Sequence, residues 1–391
     1  MKSPTLQGPE FVVSADWSKD QSKRSVHVAD VRARTITEQH GKWSLAALLE
    51  EARRLSDGGR HRVLIAMDLA IGVPAGFWRA VKADPRWAGC RSFLDWLARV
   101  GVEPGFFEPV ADPQQWALDR PFFRVQAGEG GRARFEARVD GGMRRKIDQA
   151  TQANPIFAVS GIPGSVGSAT ACLWRELAPL LNQPRDFAVW PFDSEERSIT
   201  LVESYPGLAY AAAIAERLPE ARLRVSKTTA DERNRFCGQF EAAAWVTQHQ
   251  AHVGDLTEAR GNEDVFDSLV TAAAILRCIL EARPLCADEW VDAEAEGTMV
   301  LAGPVDPGAR AERLQAEPPA NARRPGGARR QPAATAHPCP IPGCVKVFEG
   351  GRSGWDPHVA SLQRHPNWHP DITDGEERKA QFRREFPEWL R

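Results

Sequence analysis

No apolar run in this 391-residue chain is long enough to cross a bilayer. The longest, within residues 269–280, is broken by Thr271, Arg277 and Cys278 and falls short of the roughly 20 residues a membrane helix needs. The first residues, MKSPTLQGPE, lack the basic segment, apolar core and small-residue cleavage site of a secretory signal. A soluble, cytoplasmic protein with no membrane partner is expected. Charge of one sign is missing too: 50 Lys and Arg against 52 Asp and Glu leave a formal net charge of -2. That excludes coating nucleic acid by bulk charge and confines any polyanion contact to local basic stretches. Cysteine is sparse and forms no ladder. Cys90, Cys172, Cys237, Cys278 and Cys286 are scattered, and only Cys339 and Cys344 stand close together near histidines. No internal repeat is present. The remainder is globular in composition, 42% hydrophobic and 26% charged. The length suits two or three folded units at about 150 residues each.

Periodicity orders the chain. Phe11–Asp16, Ser25–Asp30 and a short extended piece around Thr35, Ile36 and Thr37 alternate as a three-strand meander. Ser44 then reads as an N-cap, with Leu45, Leu48, Leu49, Ala52 and Leu55 at helical spacing and Gly58-Gly59 as the stop. Residues 63–67 are a continuous apolar run, as in a strand buried on both faces, and deliver Asp68 at its end. Residues 75–190 hold few periodic segments and read as a long insertion. A strand over 199–203, a helix over about 208–218 and a helix over 265–282, stopped by Pro284, follow. These make a first domain of residues 1–303. Residues 304–337, dominated by Pro, Gly, Ala and Arg, read as a flexible linker, and residues 338–391 as a compact tail.

Asp16, Asp68 and Glu203 each end a strand, and Asp264 and Asp267, three apart on a helix, share a face that Thr271 continues. Carboxylates gathered at one point repel unless hard cations such as Mg²⁺ or Mn²⁺ neutralise them. Two such ions about 4 Å apart activate a water and stabilise the leaving oxygen in phosphodiester cleavage. The local alternative has Asp16 starting a turn, Asp68 capping the next segment and Asp264 capping its helix. Meander, helix, fourth strand and late acidic helix follow the order of the RNase H-like fold. The expected class is therefore α/β, a mixed sheet flanked by helices.

Five segments carry a family resemblance: Ser14-Ala15-Asp16-Trp17-Ser18, Ile65 to Pro74, Val189-Trp190-Pro191-Phe192, Val202-Glu203-Ser204-Tyr205-Pro206 and Asp264 to Ala272. In this order they resemble the landmarks of a family of predicted RNase H-like nucleases catalogued as a domain of unknown function, domain 429. The likeness spans roughly residues 10–303. It implies an RNase H-like nuclease domain in which Asp16, Asp68, Glu203, Asp264 and Asp267 are catalytic metal ligands, and it names no substrate. The acidic pair also resembles the helix pair of Holliday-junction resolvases. The segment KTTADER looks like a further family element, with Lys227 and Arg233 as phosphate contacts or, alternatively, as solvated loop residues. Arg132, Arg134, Arg138, Arg144, Arg145 and Lys146 form the densest basic stretch of the core. Arg144 and Arg145 are candidate substrate contacts there, a solvated face being the alternative, and Asp148 beside them is a weaker candidate for the active site. The glycine-rich residues 161–168 lack the Lys-Ser or Lys-Thr of a phosphate-binding loop. The 13 tryptophans serve packing or base stacking.

In the tail, Cys339 and Cys344 are followed by His358 and His365, with Phe348 and Trp355 where a two-Cys, two-His zinc finger keeps its small core. Thiolate and imidazole ligands in this arrangement suit tetrahedral Zn²⁺, and His369 is an alternative fourth ligand. Arg364 is the lone basic side chain between Asp356 and His365, so docking of a protein fits as well as contact with nucleic acid. The expectation is a metal-dependent nuclease whose zinc module positions substrate or partner. One alternative is a non-catalytic adaptor. The other is an actin-like phosphotransferase, which needs glycine-rich phosphate turns that residues 16–20 do not supply.

Overall fold

A computed structural model describes residues 6, 8–125, 131–160, 166–216, 218, 220–314, 336–342, 344, 347–349, 359, 367–372 and 374–387. The chain divides into two compact units, Met1–Glu317 and Pro318–Arg391.

In the first unit, β1 (Phe11–Asp16), β2 (Ser25–Asp30) and β3 (Thr35–Gln39) form the antiparallel meander. The helix α1 (Leu45–Ser56) follows; its N-cap Ser44 accepts the Ala47 N–H at 3.1 Å, and Leu45, Leu48, Leu49 and Ala52 are its buried stripe. The apolar strand β4 (Val63–Asp68) then returns parallel to β1. Next come α2 (Ala75–Ala83), α3 (Phe93–Val100), the short pair β5 (Phe123–Arg124) and β6 (Ala158–Ser160), α4 (Gly131–Glu136), α5 (Lys146–Thr151) and α6 (Gly167–Leu181). The strands β7 (Phe187–Val189) and β8 (Ile199–Ser204) complete a six-stranded mixed sheet of order β3-β2-β1-β4-β8-β7, in which β4, β8 and β7 run parallel to β1.

The inserted segment shows little periodicity because its helices are short and its core is aromatic. Phe77, Phe93, Trp96, Phe122, Phe157 and Trp174 meet edge-on or tilted with ring centroids 4.9 to 6.3 Å apart. Trp174 donates to the Ala70 carbonyl at 3.0 Å, tying this core to the loop after β4. Tryptophan in this segment is packing, not a platform for bases.

The remaining helices are α7 (Pro206–Ile214), α8 (Ala230–Glu241), α9 (Ala244–Gln248), α10 (Thr257–Gly261) and α11 (Glu263–Leu280). Strand alternation assigns the two faces of the sheet. Val13, Ile65, Met67 and Leu201 pack with α1, α2, α3 and α6, while Val12, Leu64, Ala66 and Val202 pack with α7, α8 and α11. Residues 304–314, expected as linker, are built into this unit: β9 (Glu220–Ala221) pairs with β11 (Val305–Asp306) and β10 (Leu223–Arg224) with β12 (Glu312–Arg313). Two-residue pairings of this kind leave no alternation to read in the sequence.

The second unit contains the antiparallel pair β13 (Ala336–Pro338) and β14 (Val347–Glu349) and the helix α12 (Gly375–Glu385). Cys339, Ile341, Val359, Trp368 and Phe382 form its buried cluster. Among the described residues, no helix is long and apolar enough to cross a membrane.

Candidate metal centre

Two aspartates reach the same edge of the sheet by register. Ala15 of β1 is paired with Met67 of β4, so Asp16 and Asp68 end adjacent parallel strands side by side. Carboxyl ends of parallel strands are where open α/β sheets bind ligands. Asp16 follows Val12 and Ser14, and Asp68 follows Leu64 and Ala66, so both carboxylates point to the face covered by α11. That helix begins at the N-cap Asn262, whose side chain accepts the Asp264 N–H at 2.9 Å. Asp264 is thus a first-turn acid and not the cap. One turn on, Asp267 points into the sheet. One oxygen each of Asp16, Asp68 and Asp267 lies within 4.8 Å of the other two.

The charges are strained by this convergence. Burial, then the charges of Asp68 and Asp267, push the Asp16 carboxyl well above the ordinary aspartate range, and Lys227 opposes them. Burial is also the main cause that lifts Asp68, to about 7, with Asp267 adding to it. Asp267 is raised by its burial, against the pull of Lys227 and a hydrogen bond from Tyr210 at 2.5 Å. Mg²⁺ takes carboxylate oxygens at about 2.1 Å, so donors sharing one ion stand about 3–4 Å apart. The three aspartates fit such an ion with little closure. Asp264 is half-buried; it raises both Asp16 and Asp267 and lines an adjoining open cleft of about 650 Å³ with Lys23, Arg24, His40, Glu258 and Asn262.

Glu203 does not join them. It pairs in register with Met67, which faces α1, α2 and α6, so its side chain leaves the sheet on the side opposite Asp68. There it accepts both Arg145 guanidinium nitrogens at 2.6 Å and the Ile71 N–H at 2.7 Å. Arg145 is fully buried and also binds Asp148 through Nε and Nη2 at 2.9 and 2.8 Å. The roles expected of Arg145 as a substrate contact and of Asp148 and Glu203 as active-site acids are therefore corrected. All three form a buried ion triad that holds the loop after β4 against α5. Burial pushes the Glu203 carboxyl up to about 7 even with Arg145 pulling it down.

Arg233 is corrected as well. It is buried and donates to the carbonyls of Lys227, Arg260 and Gly261, so it fastens the Lys227 loop to α10 and offers nothing to a phosphate. Arg144 is half-buried beside Arg145. Lys227, half-buried, forms an ion pair with Asp267.

No protein-family model, curated protein or solved structure matches this chain.

Sequence reading missed the tyrosines. The chain has only two, Tyr205 and Tyr210, and both meet this centre. Tyr210 donates to Asp267, and burial followed by the Asp68 charge raises the Tyr205 hydroxyl. Their scarcity, and the place of Tyr205 directly after a strand ending in Glu-Ser, were the available signal. Glu38, His40 and Glu258 also bring three donor atoms within 4.8 Å, on an open and largely exposed surface.

In the second unit, the Cys339 and Cys344 thiols contact one another, and burial pushes Cys339 up to about 11. His358 and His365 lie outside the described residues, as do Trp355 and residues 161–165 of the glycine-rich segment. His369, the alternative ligand, faces Glu385 of α12, which also accepts the Trp368 indole N–H at 3.0 Å.

Proposed function

We propose that this chain is a divalent-cation-dependent phosphodiesterase acting on nucleic acid, built on an RNase H-like sheet. One observation carries the reading: Asp16, Asp68 and Asp267, from two adjacent strand ends and a helix 200 residues downstream of Asp68, converge within 4.8 Å while burial and mutual repulsion disfavour their charges. (The separation is about 200 residues, and local needs such as turns or caps do not require it.) Among the described residues, Lys227 is the cation whose charge opposes that of the three acids. A bound Mg²⁺ or Mn²⁺ would neutralise the cluster, polarise the phosphoryl oxygen and lower the pKa of an attacking water.

The chain's own residues do the rest. Tyr210 fixes the rotamer of Asp267 by donating to Oδ1. Glu203 and Arg145 hold the loop after Asp68 through the Ile71 N–H, so this carboxylate is presented on a fixed strand end. The adjoining cleft, lined also by Glu38, Glu258, Glu263 and Asp264, has Lys23 and the Asn262 amide on its wall as the groups to meet a sugar-phosphate backbone, Arg24 being buried against Glu176. For the second unit, the paired Cys339 and Cys344 suit Zn²⁺ as two of its thiolate ligands, with substrate or partner docking as its role.

The test is incubation of the whole protein with labelled single-stranded DNA, duplex DNA, RNA and RNA–DNA hybrid, with Mg²⁺, with Mn²⁺ and with chelator. Cleavage of at least one substrate that disappears with chelator is expected. Folded protein that cleaves none of the four, or cleaves equally well in chelator, would overturn the proposal.

A further inference from the structure

The acidic centre carries a positive charge of its own, and it is held in place. Lys227 contacts Asp267, and its charge also acts on Asp16 and Asp68. Behind it, Arg233 donates to the Lys227 carbonyl and to Arg260 and Gly261 oxygens at 3.0 and 3.1 Å. The Ser226 N–H donates to Glu232 at 2.6 Å, closing the loop on the first turn of α8. The backbone that presents the ammonium is therefore pinned from two sides.

Among the described residues, three buried carboxylates converge here, and their free donor atoms suit one metal ion. Asp267 gives Oδ1 to Tyr210 and Oδ2 to Lys227. Glu203, the third strand-end acid, faces the other side of the sheet and is consumed by Arg145. Left for a metal are Asp16, Asp68 and the remaining lone pairs of Asp267, a set that suits one Mg²⁺ or Mn²⁺ with waters completing its octahedron; Asp264 acts on the centre by its charge from the cleft but is not among the three donors within 4.8 Å. Charge agrees for the three buried carboxylates, which one divalent ion and one ammonium balance, while half-buried Asp264 adds its charge from the open cleft. A second divalent ion would have to drive Lys227 off Asp267.

We propose that Lys227 takes the place of a second cation, so that the centre holds a single divalent ion and the ammonium faces the phosphate of the substrate. This rests on the metal-dependent reading above.

Mn²⁺ titrated calorimetrically into the whole protein tests it, with Asp16→Asn run beside it so that ions bound elsewhere are subtracted. One Asp16-dependent ion per chain is expected. In Lys227→Ala the ion should bind about tenfold tighter, since a unit charge about 6 Å from a divalent ion costs that much even in water. A second Asp16-dependent ion should then appear while cleavage falls. Lys227→Arg, which keeps the charge, should retain one ion. Two Asp16-dependent ions in the native protein, or unchanged count and affinity in Lys227→Ala, overturn this inference and leave the metal reading standing. Absence of any Asp16-dependent ion overturns both.

Discussion

Asp68→Asn should abolish cleavage while making the metal-free protein more stable at alkaline pH. Loss of the ion's stabilisation of the transition state is worth several kcal/mol, so the fall in rate is about a thousandfold or more. The opposite effect on stability follows from the raised carboxyl. In the folded protein Asp68 titrates at about 7, above the ordinary aspartate value of 3.8. The folded state thus holds this proton more tightly than the unfolded chain does. Its contribution is present at low pH and is lost as pH rises from about 4 through 7. Each unit is worth about 1.4 kcal/mol, so even half of this shift costs the native protein about 2 kcal/mol at pH 8. Asparagine carries no such charge. In chelator at pH 8 the variant should melt higher than the native protein, at pH 4 the two should nearly coincide, and Mg²⁺ should raise only the native protein. Thermal melts at these conditions check all three arms.

Arg145→Ala should cost about 3–5 kcal/mol, the usual penalty for leaving buried charge unpaired. Glu203 and Asp148 would remain in the interior with no guanidinium, and Glu203 already titrates at about 7 with the arginine present. Chemical denaturation should show the loss. The double variant Arg145→Met with Glu203→Gln should recover part of it, because it removes the charges together. Cleavage by Arg145→Ala should fall further than its unfolded fraction explains, since the Ile71 N–H and the loop after Asp68 lose their anchor. A variant as stable as the native protein would mean that the triad is better solvated than its burial indicates.

Much of this was legible in the residues. The meander, α1, β4 and α11 announce themselves by period 2, an apolar stripe, a continuous run and an acidic pair, and with them come Asp16, Asp68 and Asp267. Glu203 was misplaced for a physical reason. β8 is buried on both faces, so Ile-Thr-Leu-Val-Glu-Ser shows no alternation to say which side a residue takes. Only pairing with β4 decides that Asp68 stands beside Ser204 and Met67 beside Glu203. Arg145 was hidden by its neighbours. In a run of arginines a single buried one looks like the rest, and one of its two carboxylate partners lies 58 residues away. Asp148, three residues on, was the one local hint. The Lys227–Asp267 pair, 40 residues apart, likewise has no sequence period.

The central claim is that Asp16, Asp68 and Asp267 share a cation. Anomalous scattering from crystals soaked in Mn²⁺ tests it most directly. The expected result is a single peak bonded to all three carboxylates, with Lys227 still on Asp267. A difference map with no peak there, or with manganese only at Glu38, His40 and Glu258, would contradict it.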